Sequence, residues 1–73
     1  MNVLITGIAG LMGSRLASFI LDKGIKNIKV IGVDDLSGGY IENVDPRCEF
    51  FNLDLVRDTK KLASIFENKK IDI

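Results

Sequence analysis

The chain has 73 residues, about half of a typical domain, with 47% hydrophobic and 27% charged side chains and a single proline. That composition belongs to a folding chain and excludes a disordered tail, a collagenous repeat and a low-complexity linker. Ten basic and ten acidic residues cancel, so the positive excess that drives non-specific nucleic-acid binding is missing. Cys48 is alone and histidine is absent, which excludes an internal disulfide and a Cys/His zinc site. No metal site is expected. The N-terminus lacks the basic start and long apolar core of a secretory signal, and no stretch approaches the roughly 20 apolar residues of a membrane span. A cytoplasmic chain without membrane or nucleic-acid partners is the default expectation.

Val3-Leu4-Ile5 is a continuous apolar run closed by Thr6-Gly7, the pattern of a strand covered on both faces. From Leu11 to Lys23 the period becomes helical. Met12, Leu16, Phe19 and Ile20 share one stripe, the expected inner face, while Ser14, Arg15, Ser18 and Asp22 lie mostly off it. Lys23-Gly24 supplies the C-terminal stop. Ile28 to Val33 reads as a second strand ending at Asp34-Asp35. A polar loop follows from Leu36 to Pro46, with a short helical turn near Tyr40 to Val44. Glu49 to Leu53 reads as a third strand ending at Asp54. Asp58 is a candidate N-cap for a helix from Thr59 to about Asn68, with Leu62, Ile65 and Phe66 turned inward. Ile71-Asp72-Ile73 resembles the first residues of a further strand. The order β-α-β-β-α-(β) implies an α/β fold with a parallel sheet and helices on its faces.

Between the first strand and the first helix stands Thr6-Gly7-Ile8-Ala9-Gly10-Leu11-Met12-Gly13, with glycines spaced G-x-x-G-x-x-G. A helix N-terminus attracts a phosphate because its first N–H groups lack partners and its dipole end is positive. Close approach of a pyrophosphate then requires a tight turn without side chains. Gly7 suits the turn, Gly10 the approach, and Gly13 the packing of helix on strand. A P-loop is excluded because no lysine follows the last glycine. The plain alternative, a strand-to-helix turn without ligand, is weakened by the acid downstream. Asp34 stands about 20 residues past the glycines at the tip of the second strand, where a carboxylate accepts from an adenosine ribose. It would repel a 2′-phosphate, and no basic residue follows until Arg47, so NAD is expected in preference to NADP.

The segments Thr6–Gly13, Val33-Asp34-Asp35-Leu36-Ser37-Gly38 and Asn52-Leu53-Asp54-Leu55-Val56-Arg57-Asp58 resemble, in order and spacing, the extended short-chain dehydrogenases/reductases. The resemblance is to their NAD-dependent epimerase/dehydratase group, which acts on nucleotide sugars. It implies an NAD(P)-binding Rossmann fold with strand order 3-2-1-4, of which the chain holds the first part. The D-x-L-S-G-G segment is closer to UDP-sugar 4-epimerases, such as those acting on UDP-glucose or UDP-glucuronate, than to the 4,6-dehydratases. By this resemblance Leu11 and Met12 offer backbone N–H groups to the pyrophosphate. Asp34, Asp35, Leu36, Ser37, Gly38 and Gly39 line the ribose and adenine, Asp54 accepts from the adenine amino group, and Leu55 packs beside the ring. A homodimeric enzyme using a small nucleotide sugar is implied.

The family's chemistry relies on a Tyr-x-x-x-Lys pair, in which lysine lowers the tyrosine pKa for proton relay. Here the sole tyrosine, Tyr40, is followed four residues later by Val44, so no catalytic residue is expected in this chain. The chain therefore reads as an N-terminal cofactor-binding piece without turnover, its first strand left as an open edge. Two alternatives are a non-catalytic dinucleotide sensor and a receiver- or flavodoxin-like module without dinucleotide.

Overall fold

The structure is a computed structural model describing residues 1–73. In chain order it contains β1 (Asn2–Thr6), α1 (Leu11–Asp22), β2 (Lys29–Asp34), one 3-10 turn (Ile41–Asn43), β3 (Glu49–Asn52) and α2 (Thr59–Lys69). The three strands form a single parallel sheet with β2 in the middle. Ile5 stands beside Gly32, which in turn stands beside Phe50.

Successive residues of a strand face opposite sides, and β2 serves both. Val30 joins Val3, Ile5, Ile8 and Ala17 in one apolar layer. Ile31 and Val33 join Leu53 and Ile65 in the other. The helices thus cover opposite faces, α1 through Ala17 and α2 through Ile65, and the continuous apolar run of β2 is explained. Val30, Ile31 and Val33 are all but inaccessible.

The expected inner stripe of α1 is corrected. Met12, Leu16 and Phe19 are 85%, 50% and 60% exposed, whereas Ser14 and Ala17 are buried and Ile20 and Leu21 pack at the margin of the core. The cause is the close seating of α1 on the loop that precedes it. A Cβ added at Gly13 would lie 2.3 Å from the Gly7 carbonyl oxygen, so only the smallest side chains fit along that seam. Large apolar residues define the strongest periodic stripe but cannot occupy the nearest approach. In α2, Leu62 and Ile65 face inward as expected, while Phe66 is exposed.

Asp58 occupies the N-cap position of α2, yet its side chain makes no capping hydrogen bond. Gly24 stops α1 with φ of +66°, as the sequence implies. The strand order is 3-2-1, and Ile71–Ile73 form no strand of their own. The outer edge of β1 is nonetheless not open as expected. Ile73 donates its N–H to the Asn2 carbonyl (3.3 Å), and Leu4 donates to the Ile73 carbonyl (2.8 Å), the slanted pattern of a parallel pair.

Candidate functional site

The site begins at the C-terminal end of β1. Gly7 turns the chain with φ of +67°, a conformation that costs a side-chain-bearing residue about 1 kcal/mol or more. Its carbonyl accepts from the Gly10 N–H at 3.0 Å, closing the turn. Ile8 and Ala9 are completely buried and fasten the loop to β2. Ile8 donates its N–H to the Val33 carbonyl at 3.3 Å, and its side chain fills the notch above Gly32, where an added Cβ would come within 2.5 Å of Ile8 Cγ1. The Ala9 carbonyl accepts from the Tyr40 N–H at 3.2 Å and from Asn43 Nδ2 at 3.0 Å. Gly39 packs against that carbonyl, with no room for a Cβ.

Helix α1 then starts without a side-chain cap and without an acid in its first turn. Its first bond is from Ser14 N–H to the Gly10 carbonyl at 3.0 Å. The N–H groups of Leu11, Met12 and Gly13 donate to no protein acceptor. Three donors and the positive dipole end therefore meet at a place where nothing negative from the protein competes.

Asp34 links this loop to the next. Its Oδ2 accepts from the Ala9 N–H and its Oδ1 from the Leu36 N–H, both at 2.9 Å. The second bond holds Leu36 at φ of +65°, uncommon for leucine. Each carboxylate oxygen keeps a lone pair for a further donor. Asp35 Oδ1 accepts from the Ser37 hydroxyl at 2.7 Å and the Ser37 N–H at 2.9 Å, and these bonds hold its carboxyl below the usual value.

Asp54 ends the corresponding turn after β3. Its Oδ1 accepts from the N–H groups of Val56 (2.7 Å) and Arg57 (3.1 Å). Its own N–H donates to Asp58 Oδ2 at 2.8 Å, and its carbonyl accepts from the Asp58 N–H, also at 2.8 Å.

A cleft of about 330 Å³ opens between these turns, lined by Gly7, Val33, Asp34, Asp35, Leu53, Asp54, Leu55 and Val56. Five of the residues singled out in the sequence meet there: Gly7, Asp34, Asp35, Asp54 and Leu55. Gly10, Leu11, Met12 and Gly13 form the adjoining helix start. Leu36, Ser37, Gly38 and Gly39 lie in the loop that follows Asp35 and are not among the residues lining this cleft. Leu36 and Ser37 are drawn onto the two aspartates, and Gly39 onto the glycine loop. Sequence reasoning missed Gly32, Asn43 and Val56. A glycine inside an apolar strand run is a signal of close approach, and it would have revealed the first. Cys48, beside the core just before β3, has its thiol pKa pushed up by burial, so it is no activated nucleophile.

A model of the NAD dependent epimerase/dehydratase family matches residues 3–73. The dTDP-D-glucose 4,6-dehydratase of Dictyostelium discoideum is 40% identical over 79 residues, covering 99% of this chain and 18% of that protein. The UDP-glucose 4-epimerase of Lacticaseibacillus casei is 35% identical over 72 residues, covering 99% and 20%. Among solved structures, the UDP-glucose 4-epimerase of Thermus thermophilus in complex with NAD superposes with a TM-score of 0.82 at 36% identity, over 96% of this chain and 21% of that one. The chain thus spans about a fifth of the length of these relatives.

Proposed function

The chain belongs to the NAD dependent epimerase/dehydratase family, and on that premise we propose that residues 1–73 form the adenosine- and pyrophosphate-binding part of a Rossmann domain. The enzyme is read as a nucleotide-sugar epimerase of the UDP-glucose 4-epimerase kind, cytoplasmic and homodimeric. The observation that carries the cofactor assignment is the set of unpartnered N–H groups on Leu11, Met12 and Gly13, placed one turn beyond Gly7, itself part of the cleft wall with Asp34.

The residues present fit a dinucleotide. The helix start receives the pyrophosphate, and no side chain intrudes at Gly7 or Gly10. Asp34 offers its remaining lone pairs to the ribose hydroxyls while it holds the glycine loop through Ala9. Asp54 and Leu55 supply an acceptor and an apolar wall for the base. NAD is favoured over NADP because Asp34 and Asp35 would both face a 2′-phosphate with negative charge. When bound, the cofactor supplies a hydride acceptor at its nicotinamide. This chain binds and orients the other end of it, and in the absence of a Tyr-x-x-x-Lys pair it is assigned no turnover of its own. No helix is long and apolar enough to cross a membrane.

Calorimetric titration of the chain with NAD and NADP tests the assignment. Asp34→Arg is expected to weaken NAD binding by about 10- to 100-fold, the value of one or two hydrogen bonds to a charged group, and to shift preference toward NADP. An unchanged NAD affinity favours the plain α/β module instead. A second reading, a 4,6-dehydratase, is favoured by the 40% identity to the Dictyostelium enzyme. Assay of the whole enzyme with UDP-glucose and dTDP-glucose separates the two.

A further inference from the structure

We propose that Asn43 is a positioning residue for the glycine loop: through the Ala9 carbonyl it holds the peptide from which α1 starts, so that the helix start is presented to a diphosphate. This rests on the dinucleotide reading and deepens it. Asn43 closes the 3-10 turn between β2 and β3, and its Nδ2 donates to the Ala9 carbonyl at 3.0 Å. The Tyr40 N–H donates to the same oxygen at 3.2 Å, which fills both of its acceptor positions.

The peptide so held joins Ala9 to Gly10. It is a rigid plane, and its other polar end, the Gly10 N–H, donates to the Gly7 carbonyl at 3.0 Å. Gly10 is the N-cap residue of α1, extended at φ of −79° and ψ of 172°. The N–H groups of Leu11, Met12 and Gly13 follow directly from it, and glycine has no Cβ to limit its own dihedral angles. The plane that enters Gly10 is therefore fixed by bonds from outside the loop, and among side chains Asn43 alone supplies one to the Ala9 carbonyl.

Asn43 is itself held. Its N–H donates to the Tyr40 carbonyl at 2.9 Å. Two residues on, Asp45 accepts from the Ser18 hydroxyl of α1 at 3.0 Å and from Arg47, which also reaches Asp22 of α1 at 2.8 Å. A turn fastened to α1 in this way has little freedom to move in and replace a lost amide. Ordering supplied by such bonds is met on folding and not on binding, which favours a ligand that uses the helix start. A ligand without phosphates gains nothing from it.

NMR-monitored titration of the full chain with ADP and with adenosine tests the proposal. Asn43→Ala should weaken ADP binding by about three- to tenfold, the net value of one hydrogen bond, and leave adenosine binding unchanged. Asn43→Ser, polar but too short to reach Ala9, should do the same, and it keeps the test decisive if the alanine variant does not fold. Asn43→Asp keeps the shape, but its carboxylate only accepts and would oppose the Ala9 carbonyl, so it should weaken ADP binding further. ADP affinity unchanged by the alanine or serine variant overturns the proposal and leaves the cofactor reading intact. Equal losses for ADP and adenosine also overturn it, since they report a general loss of structure. A wild type that binds ADP no more tightly than adenosine removes the diphosphate reading and this proposal together.

Discussion

The turns after β1 and after β3 share one cleft but are built by opposite means. The glycine turn is shaped by what is missing: Gly7 takes a positive φ, and Gly13 leaves no space for a single carbon. The turn from Leu53 to Asp58 is shaped by what is added, since two aspartates bind its backbone N–H groups. The first should therefore be intolerant of added volume, and the second sensitive to lost acceptors. That contrast orders the expected effects.

The largest falls on Gly13. Alanine is the better helix former by about 1 kcal/mol, yet its Cβ would meet backbone atoms of Gly7 and Ile8 that cannot yield cheaply. Gly13→Ala should lower stability by about 3 kcal/mol in urea unfolding, and a stabilised variant would refute the seating of α1. Asp54→Ala should cost about 1 kcal/mol, because the N–H groups it releases at Val56 and Arg57 are exposed enough to find water.

Smaller again is a pH effect away from the cleft. Glu49, at the start of β3, is bridged by Lys69 and by Lys29, and the hydrogen bond from Lys69, with lesser help from the charges, holds its carboxyl below the ordinary value of 4.5. A lowered folded-state pKa contributes stability above 4.5 that is lost as pH falls through the folded value. Acid titration of wild type against Glu49→Gln should show a shallower decline for the variant below pH 4.5. Leu16→Ser and Phe19→Ser should each change stability by less than about 0.5 kcal/mol, since both side chains are largely in water. A loss near 2 kcal/mol at either would restore the stripe expected from periodicity.

The legibility of the chain follows the same division. Strand and helix positions could be read because apolar runs and glycine spacing directly express covered faces and tight turns. Gly7 and Asp34 can be placed for that reason, and Asp54 only as the expected end of β3, its part in the site resting on the resemblance to the family. The inner face of α1 could not, because close packing selects Gly13, Ser14 and Ala17, residues that carry little hydrophobic signal. The partners of the loop aspartates were also hidden. Whether Asp58 caps α2 or reaches to Asp54 depends on backbone direction at one residue, with φ of −101° and ψ of 39°, and a sequence does not display dihedral angles.

Ala9 has a consequence for the time dependence of the molecule. It lies outside regular structure, where backbone protons normally trade with solvent rapidly, yet its amide is held by Asp34 and its carbonyl by Tyr40 and Asn43. In deuterated water its proton should persist as long as those of β2, whereas its neighbours at Leu11, Met12 and Gly13 should vanish first. A bound pyrophosphate would then slow only the fast group. The glycine loop is held in place at Ala9 by the chain's own side chains and backbone.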